Sequence, residues 1–233
     1  MLILAFDTSG LAGSVAVLDG PRLLVERVLD PECRSAQTLA PAILETLARS
    51  QVQPAQIRLV ATTIGPGSFT GLRVGVTAAK TFAYAVGAEV VGVSTLEGIA
   101  HQCGPLAPRA EVHAVLDAQR KEVFLGRFQN QSPVAGDELP WLTRLSADSI
   151  VAADAWLASL PAGAVVTGMG LSRLLDRLPA SAIVTPQSQW EPQAATSGRL
   201  AWRDYQLGRR DDLWKLAPVY LRPSYAEEKA ARK

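Results

Sequence analysis

Short apolar runs separated by turn residues mark the strands of the amino-terminal half. They fall at 2–6, 14–18, 23–29, 57–64 and 89–93. Their length and their content of branched residues are typical of buried strands. Asp19-Gly20, between the second and third runs, is a two-residue hairpin signal.

Apolar residues at helical spacing lie between these runs. A helix is predicted over 35–49, with Pro41 inside it, and another over 72–86. A third begins at Ser94, where Ser94 and Glu97 have the spacing of a capping box. The buried stripe of the first helix is predicted to include Leu39, Ile43 and Leu47.

The carboxyl-terminal half repeats a shortened version of this order after the Pro/Gly linker 104–108. Its predicted elements are strands at 112–116, 123–128 and 164–167, and helices near 150–159, after Gly170 and over 193–207. Three strands, helix, strand, helix, strand, helix is the order of a ribonuclease-H-like unit. We therefore predict an α/β protein of the actin-like ATPase (ASKHA) superfamily, with mixed sheets flanked by helices in two subdomains, 1–108 and 109–233.

The composition limits which class of protein this can be and which cellular compartment is expected. Of 233 residues, 48% are hydrophobic and 19% charged, which is typical of a globular chain. The net charge of +1 supplies no basic field for binding nucleic acid directly. Cys33 and Cys103 are the only cysteines, which suggests a reducing compartment. Without a leader or a membrane-length apolar run, a cytoplasmic protein with no membrane contact is expected.

The run from Gly65 to Gly75, Gly-Pro-Gly-Ser-Phe-Thr-Gly-Leu-Arg-Val-Gly, is the most informative segment. It joins a predicted strand to a predicted helix, and Ser68 and Thr70 are residue types that cap a helix start. The glycines favour either an anion at the helix amino terminus or a tight turn with close helix packing. The spacing matches neither a Walker motif nor a dinucleotide fingerprint.

This run resembles the signature of the TsaB (YeaZ) family, and Tyr220-Leu221-Arg222 agrees with the closing motif of that family. The resemblance implies a non-catalytic scaffold in forming threonylcarbamoyladenosine beside the anticodon of ANN-decoding tRNAs. Its implied partners are a catalytic TsaD subunit, a TsaE-type ATPase, tRNA through the complex, and a second copy when the chain is alone. The implied interface lies on the first two helices and the glycine loop: Leu39, Ile43, Leu47, Gly65, Pro66, Gly67, Ser68, Phe69, Thr70, Gly71, Arg73, Val76, Ala79 and Ala83.

Two segments correspond to the phosphate-binding elements of the superfamily, and the second of them is altered. Asp7-Thr8-Ser9 resembles the first phosphate element of the superfamily, so these residues are candidate contacts for ATP or ADP at the subunit interface. At the second element, Asp117–Arg120, Gln119 stands where an active kinase has glycine. No catalytic residue is assigned.

No metal site is predicted either. The only histidines, His101 and His113, lack the spacing of a helical ligand pair. Two alternatives stay open beside the scaffold: a stand-alone ATPase or phosphotransferase, and, less favoured, a metal-dependent glycopeptidase.

Overall fold

The computed structural model describes residues 1–32, 35–104, 106–131 and 142–222. Cys33 lies outside these ranges, and so does Pro105 of the predicted linker. The strands are β1 Leu2–Asp7, β2 Ser14–Asp19, β3 Arg22–Val28, β4 Leu59–Gly65, β5 Glu89–Ser94, β6 Glu111–Asp117, β7 Glu122–Asn130, β8 Leu142–Arg144, β9 Ser149–Ala152, β10 Val165–Thr167 and β11 Ile183–Val184. The helices are α1 Ser35–Arg49, α2 Phe69–Val86, α3 Thr95–His101, α4 Ala153–Ser159 and α5 Ala194–Gln206. None of the helices in the described ranges is both long and apolar enough to cross a membrane.

The strands form two sheets with corresponding orders. The first sheet runs β3-β2-β1-β4-β5, and the second runs β11-β10-β6-β7-β8 with β9 also paired to β7. In the first sheet β1 pairs antiparallel with β2 and parallel with β4. In the second, β6 pairs antiparallel with β7 and parallel with β10. Because β6, β7 and β10 repeat the pairings of β1, β2 and β4, the predicted mixed-sheet fold with an internal duplication is confirmed.

Both faces of the first sheet are covered by helices, which explains why its central strands are apolar throughout. Side chains of β1 alternate between the two faces. Leu4 and Phe6 face the core shared with α1 and α2. Ile3 and Ala5 face the core shared with α5. The helix pair α1–α2 and helix α5 therefore lie on opposite sides of the sheet.

Two helices cross between the halves of the chain. Helix α3 comes from the first half, yet Leu96 and Ile99 pack with Val112 and Phe128 of the second sheet. Helix α5 comes from the second half and packs on the first sheet. Each of these helices therefore packs on the sheet of the other half. The division into subdomains 1–108 and 109–233 stays a prediction.

Several element boundaries differ from the predictions for local reasons. Helix α2 starts at Phe69 because the Ser68 hydroxyl accepts a hydrogen bond from the Gly71 N–H at 3.2 Å. The predicted helix after Gly170 is a 3-10 turn, Met169–Arg173. The predicted capping box is only half formed. Ser94 accepts from the Glu97 N–H at 3.3 Å, but the Glu97 carboxylate binds two arginines. The helix predicted near 150–159 begins only at Ala153, and residues 150–152 belong to strand β9 instead. Strands β8 and β11 were not predicted.

Candidate functional site

A cleft of about 700 Å³ lies between the two sheets. It is lined by the turn after β1, the glycine loop before α2, the β6–β7 hairpin, and the segments around Glu191 and Tyr220. The ends of β1 and β6, the corresponding strands of the two sheets, thus meet at one place, where ligands usually bind in α/β proteins. The turn after β1, the glycine loop and the hairpin were each singled out by a local pattern, and the fold brings them to one cleft.

The predicted phosphate element Asp7-Thr8-Ser9 forms the floor of the cleft. Ser9 lines the cleft, whereas Asp7 and Thr8 are fully buried beneath it. Asp7 accepts hydrogen bonds from the Ser9 N–H and hydroxyl, both at 3.0 Å. Burial raises the pKa of Asp7 to about 6, and the Ser9 hydrogen bonds offset this only in part. The structure thus gives Asp7 and Thr8 a role inside the chain, and nucleotide contact through them stays a prediction.

The glycines of the loop bring α2 onto the end of β1. A Cβ atom on Gly67 would lie 2.6 Å from the Ser9 carbonyl oxygen, and one on Gly71 would overlap the Thr8 carbonyl oxygen. The Ser68 N–H donates to the Ser9 carbonyl at 2.8 Å, so an amide that could have bound an anion is already used. These contacts support the second sequence-based alternative, a tight turn for close helix packing.

An arginine packed against two neighbouring aromatic rings forms one wall of the cleft. The Arg73 guanidinium lies 3.8 Å from the centre of the Phe69 ring, and its Nε donates to the Tyr220 hydroxyl at 3.0 Å. The Phe69 and Tyr220 rings are 4.9 Å apart. Phe69 and Arg73, two of the predicted interface residues, are both exposed. Tyr220, from the closing motif of the family, packs beside them.

The β6–β7 hairpin forms the opposite wall with an unusual backbone. Gln119, Arg120 and Lys121 all have positive φ angles, between 52° and 61°, a conformation that usually favours glycine. Asp117 accepts from the Gln119 N–H at 2.8 Å and pairs with Arg173 at 2.6 Å. Gln119 lines the cleft, as its position in the altered phosphate element predicted.

Glu191 and Thr95 are cleft residues that sequence analysis missed. The Glu191 Oε2 atom lies over the turn after β1, where it would be 2.7 Å from a Cβ atom on Gly10. This oxygen is buried and has no hydrogen-bond partner among the described residues, and the same holds for the hydroxyl of Thr95, a residue only 1% exposed. Burial raises the pKa of Glu191. No local pattern pointed to Glu191, because only the fold brings it to Gly10.

The phosphates of ATP or ADP do not fit this set of charges. The Glu191 carboxylate covers Gly10, where phosphate would approach the backbone, and the Gln119 side chain lines the other wall. Arg73 contacts Tyr220, and Arg222 pairs with Glu122. A polyphosphate would therefore face the unpaired Glu191 carboxylate, while the cleft arginines Arg73 and Arg222 are already engaged with Tyr220 and Glu122. Nucleotide binding stays a prediction that these charges disfavour.

The predicted interface stripes of α1 and α2 point inward. Leu39, Ile43 and Leu47 of α1 belong to the core of the first sheet, as do Val76, Ala79 and Ala83 of α2. Ala79 and Ala83 are 0% exposed, so their small size serves packing against the sheet rather than contact with a partner. An interface on these helices stays a prediction, but its side chains must come from the outward faces.

A second polar region joins α3 to α5 at the junction of the two halves, and we call it the junction network. Glu97 accepts from Arg203 at 2.8 Å and from Arg144 at 3.0 Å, and Arg144 also pairs with Asp148. Burial alone would raise the pKa of Glu97, but the hydrogen bond from Arg203 and the nearby positive charges lower it. Each of these carboxylates therefore has a cationic partner.

The two histidines have structural partners. His101 joins the junction network: its Nδ1 lies 2.9 Å from the Glu97 carbonyl oxygen, and its Nε2 lies 3.3 Å from Arg203. Since arginine only donates, Nε2 accepts and Nδ1 carries the proton. His113 Nδ1 accepts from the Trp156 indole at 3.0 Å, and its Nε2 lies 2.9 Å from Glu111. The structure thus places them in separate clusters.

Comparison with known proteins agrees with this architecture. Residues 32–153 match the family model described as TsaD, tRNA N6-adenosine threonylcarbamoyltransferase. The tRNA threonylcarbamoyladenosine biosynthesis protein TsaB of Bacillus subtilis is 30% identical over 144 residues, which is 60% of this chain and 60% of that protein. TsaB of Escherichia coli is 33% identical over 129 residues, 55% of each chain.

A solved structure, YeaZ from Pseudomonas aeruginosa, has the same fold. The TM-score is 0.77 with 24% identity, covering 94% of this chain and 99% of that one. The sequence matches, in contrast, span 60% or less of the length of the curated TsaB proteins. The family model covers more than half of the chain and the curated matches carry the TsaB name, and so the chain belongs to the TsaB (YeaZ) family of tRNA threonylcarbamoyladenosine biosynthesis proteins.

Proposed function

We propose that this chain is a non-catalytic scaffold in the formation of threonylcarbamoyladenosine on ANN-decoding tRNAs. It pairs with a TsaD-like catalytic subunit through the outward faces of α1 and α2. A TsaE-like ATPase joins the same complex, and tRNA is reached through the partner, because a net charge of +1 provides little attraction for nucleic acid. Alone, the chain pairs with a second copy through the same face.

The observation that carries this proposal is an exposed surface of small, apolar and aromatic residues on two adjacent helices, bordered by the ion pair of Glu45 and Arg49. Helix α1 exposes Ala40, Leu44 and Ala48 at helical spacing, one residue along from its buried stripe. Helix α2 exposes Thr77, Thr81, Tyr84 and Ala85. Leu44 is 66% exposed and Tyr84 68%. We call this surface the α1–α2 face. Small, apolar and aromatic residues with few charges are typical of the core of a protein interface.

The carboxyl-terminal segment extends the α1–α2 face with a second aromatic residue. Trp214 is 72% exposed, and its ring lies 5.6 Å from that of Tyr84. Lys80 on α2 holds this segment by donating to the carbonyl oxygens of Trp214 at 2.9 Å and Leu216 at 3.2 Å. Because the segment is anchored, both rings are positioned before binding, which lowers the entropic cost of forming an interface.

Co-purification with a TsaD-like subunit tests the proposal. Leu44→Glu and Tyr84→Glu place a charge in the centre of the α1–α2 face, and each is expected to weaken the heterodimer by about 2 kcal/mol or more, roughly 30-fold in Kd. The measurement is titration calorimetry or gel filtration of the mixed subunits, with circular dichroism to verify folding.

Leu207→Glu is the matched control. Leu207 is 73% exposed, but it follows α5 on the opposite side of the first sheet. It should leave the Kd unchanged. The proposal fails if Leu44→Glu and Tyr84→Glu bind the partner as tightly as the control, or if the isolated chain turns over ATP or threonylcarbamoyl-adenylate at an enzymatic rate.

A further inference from the structure

We propose that the cleft between the sheets is a receptor for an ammonium or guanidinium group attached to a short apolar body, with Glu191 as its anionic anchor. This proposal is independent of the scaffold function, because it concerns a different surface and a property of the isolated chain.

The first argument is an uncompensated negative charge. Glu191 forms no ion pair among the described residues. Its carboxylate accepts a hydrogen bond from the Ala12 backbone, but its buried Oε2 atom has no hydrogen-bond partner within the described ranges. Asp7, fully buried below it, adds a second carboxylate whose only described hydrogen-bond donors are hydroxyl and amide groups. A buried carboxylate oxygen without a donor is costly, so a donor from outside the chain would stabilise it.

The second argument is an independent buried polar group in the lining of the same cleft. Thr95 lines the cleft and is only 1% exposed, and its hydroxyl has no hydrogen-bond partner within the described ranges. Buried hydroxyls are almost always hydrogen bonded. A ligand group that donates to Glu191 and also occupies the cleft would bring Thr95 a partner.

The positive charges of the cleft do not compete for Glu191. Arg73 stacks on Phe69 and donates to Tyr220. Arg222 pairs with Glu122. Arg73 keeps its charge because Phe69 and Tyr220 are both neutral, but its contacts hold it at the wall that these two rings form. Among the described residues, neither arginine pairs with Glu191, so the Glu191 carboxylate can attract a cationic ligand.

The apolar part of the lining defines the rest of the ligand. Leu11, Leu116, Phe124, Met169 and Pro192 contribute to the walls. Sites of this kind bind the apolar body of a ligand by burial and fix its orientation by a few polar contacts. The ligand class is therefore an amine or guanidine with a short alkyl or aryl chain, either free or as a lysine or arginine side chain of a bound partner.

Calorimetric titration of the full-length isolated chain tests this. The probes are agmatine, 2-phenylethylamine and, as a carboxylate of the same skeleton, 3-phenylpropionate. We expect the two cations to bind and the carboxylate to bind at least 10-fold more weakly. Glu191→Gln should weaken the cations at least 10-fold, and Thr95→Val, which keeps the side-chain shape, should weaken them measurably. Glu89→Gln, at an exposed position at the start of β5, is the control and should change nothing.

Repeating the titration on the complex with a TsaD-like subunit distinguishes the two sources. A free ligand predicts that the complex still binds agmatine, and a partner side chain predicts that binding is lost on assembly. The proposal is overturned if the carboxylate probe binds as well as the amines, if Glu191→Gln leaves amine affinity unchanged, or if magnesium-ATP binds in competition with agmatine. These three contradicting outcomes are all measured on the isolated chain, so they can be distinguished from a failure of the scaffold function.

Discussion

The junction network and the cleft are both partly buried and rich in charge, but they are built in opposite ways. In the junction network, Glu97 accepts from two arginines and Asp148 pairs with one of them. In the cleft, Glu191 has a buried oxygen without a donor, and Asp7 is held only by neutral groups. The first arrangement lets α3 and α5 cross between the halves. The second leaves polar groups without a hydrogen-bond partner among the described residues.

This difference separates charges that serve the fold from charges available to a ligand. A buried pair with both partners present is costly to break, because removing one member leaves the other desolvated. An unpaired carboxylate already carries that cost, so its removal should help stability and harm only binding. Substitutions that remove a charge in the two regions should therefore change stability in opposite directions.

The largest expected effect comes from Gly71, which supports the cleft floor. In Gly71→Ala the new methyl group overlaps the Thr8 carbonyl oxygen, so α2 must move away from β1. We expect a loss of about 3 kcal/mol or more in the free energy of unfolding. Gly98→Ala in α3 is the control, because its methyl group would meet only Ser197 at 3.8 Å. Urea unfolding followed by circular dichroism measures both, and equal midpoints would contradict the assignment.

Arg203→Met tests the junction network. The change keeps the aliphatic stem but removes the donor to Glu97 and Asp204. We expect a loss of about 3 kcal/mol in the free energy of unfolding, since two partly buried carboxylates lose a partner. The exposed Arg22, 4.0 Å from Asp19, provides Arg22→Met as a control with an effect below about 0.5 kcal/mol. Similar losses in the two variants would show that the network adds no stability beyond a surface pair.

Asp7 below the cleft and His101 in the junction network should make the free energy of unfolding depend on pH in opposite ways. Burial raises the pKa of Asp7 to about 6, so its contribution is fully present below about pH 4 and is lost as pH rises through 6. Burial lowers the pKa of His101 to about 4, so its contribution is present above about pH 6.5 and is lost as pH falls toward 4. Between these limits each group changes stability by about 1.4 kcal/mol per pH unit, with opposite signs.

Two variants separate these contributions. Relative to the unchanged chain, the stability of Asp7→Asn should rise more steeply with pH between about 4.5 and 6, because only the His101 slope remains. The stability of His101→Gln should fall with pH over the same range. Urea midpoints measured across that range provide the test. Deviations of the same sign in both variants would refute the opposed titration.

The smallest effect is a gain. Glu191→Gln removes a charge whose pKa is raised by burial and keeps an acceptor for the backbone of the turn after β1. Because the side chain is only partly buried, solvent screening reduces the benefit to about 0.5 kcal/mol in the free energy of unfolding. Thermal unfolding at neutral pH should therefore show a slightly higher Tm. A loss of more than 1 kcal/mol would mean that Glu191 serves the fold like the junction carboxylates.

Local patterns predicted most of the fold. The bounds of α1 matched the predicted 35–49, and the predicted central strands of both sheets were found. These elements depend on side-chain periodicity within a few residues, which sequence records directly. The short strands β8, β9 and β11 were missed because two to four residues carry too little pattern.

Site prediction was partial for a different reason. The Asp7–Ser9 turn, the glycine loop and the 117–121 hairpin were identified, since each has its own local signature. The roles of Leu39 and Ala83 were assigned to an interface, but both side chains face the first sheet. A helical stripe has the same spacing whether it packs on its own sheet or on a partner, so periodicity cannot distinguish the two.

The sequence by itself determined the order of the central strands and the main helices, the duplication and the family signature, because each depends on patterns within short stretches of the chain. Only the tertiary structure decided that Glu191 lies over Gly10 and that Leu44 and Tyr84 face outward. It also decided that α3 and α5 exchange sheets. Those outcomes depend on how distant segments share space and charge, and no short stretch of the chain contains that information.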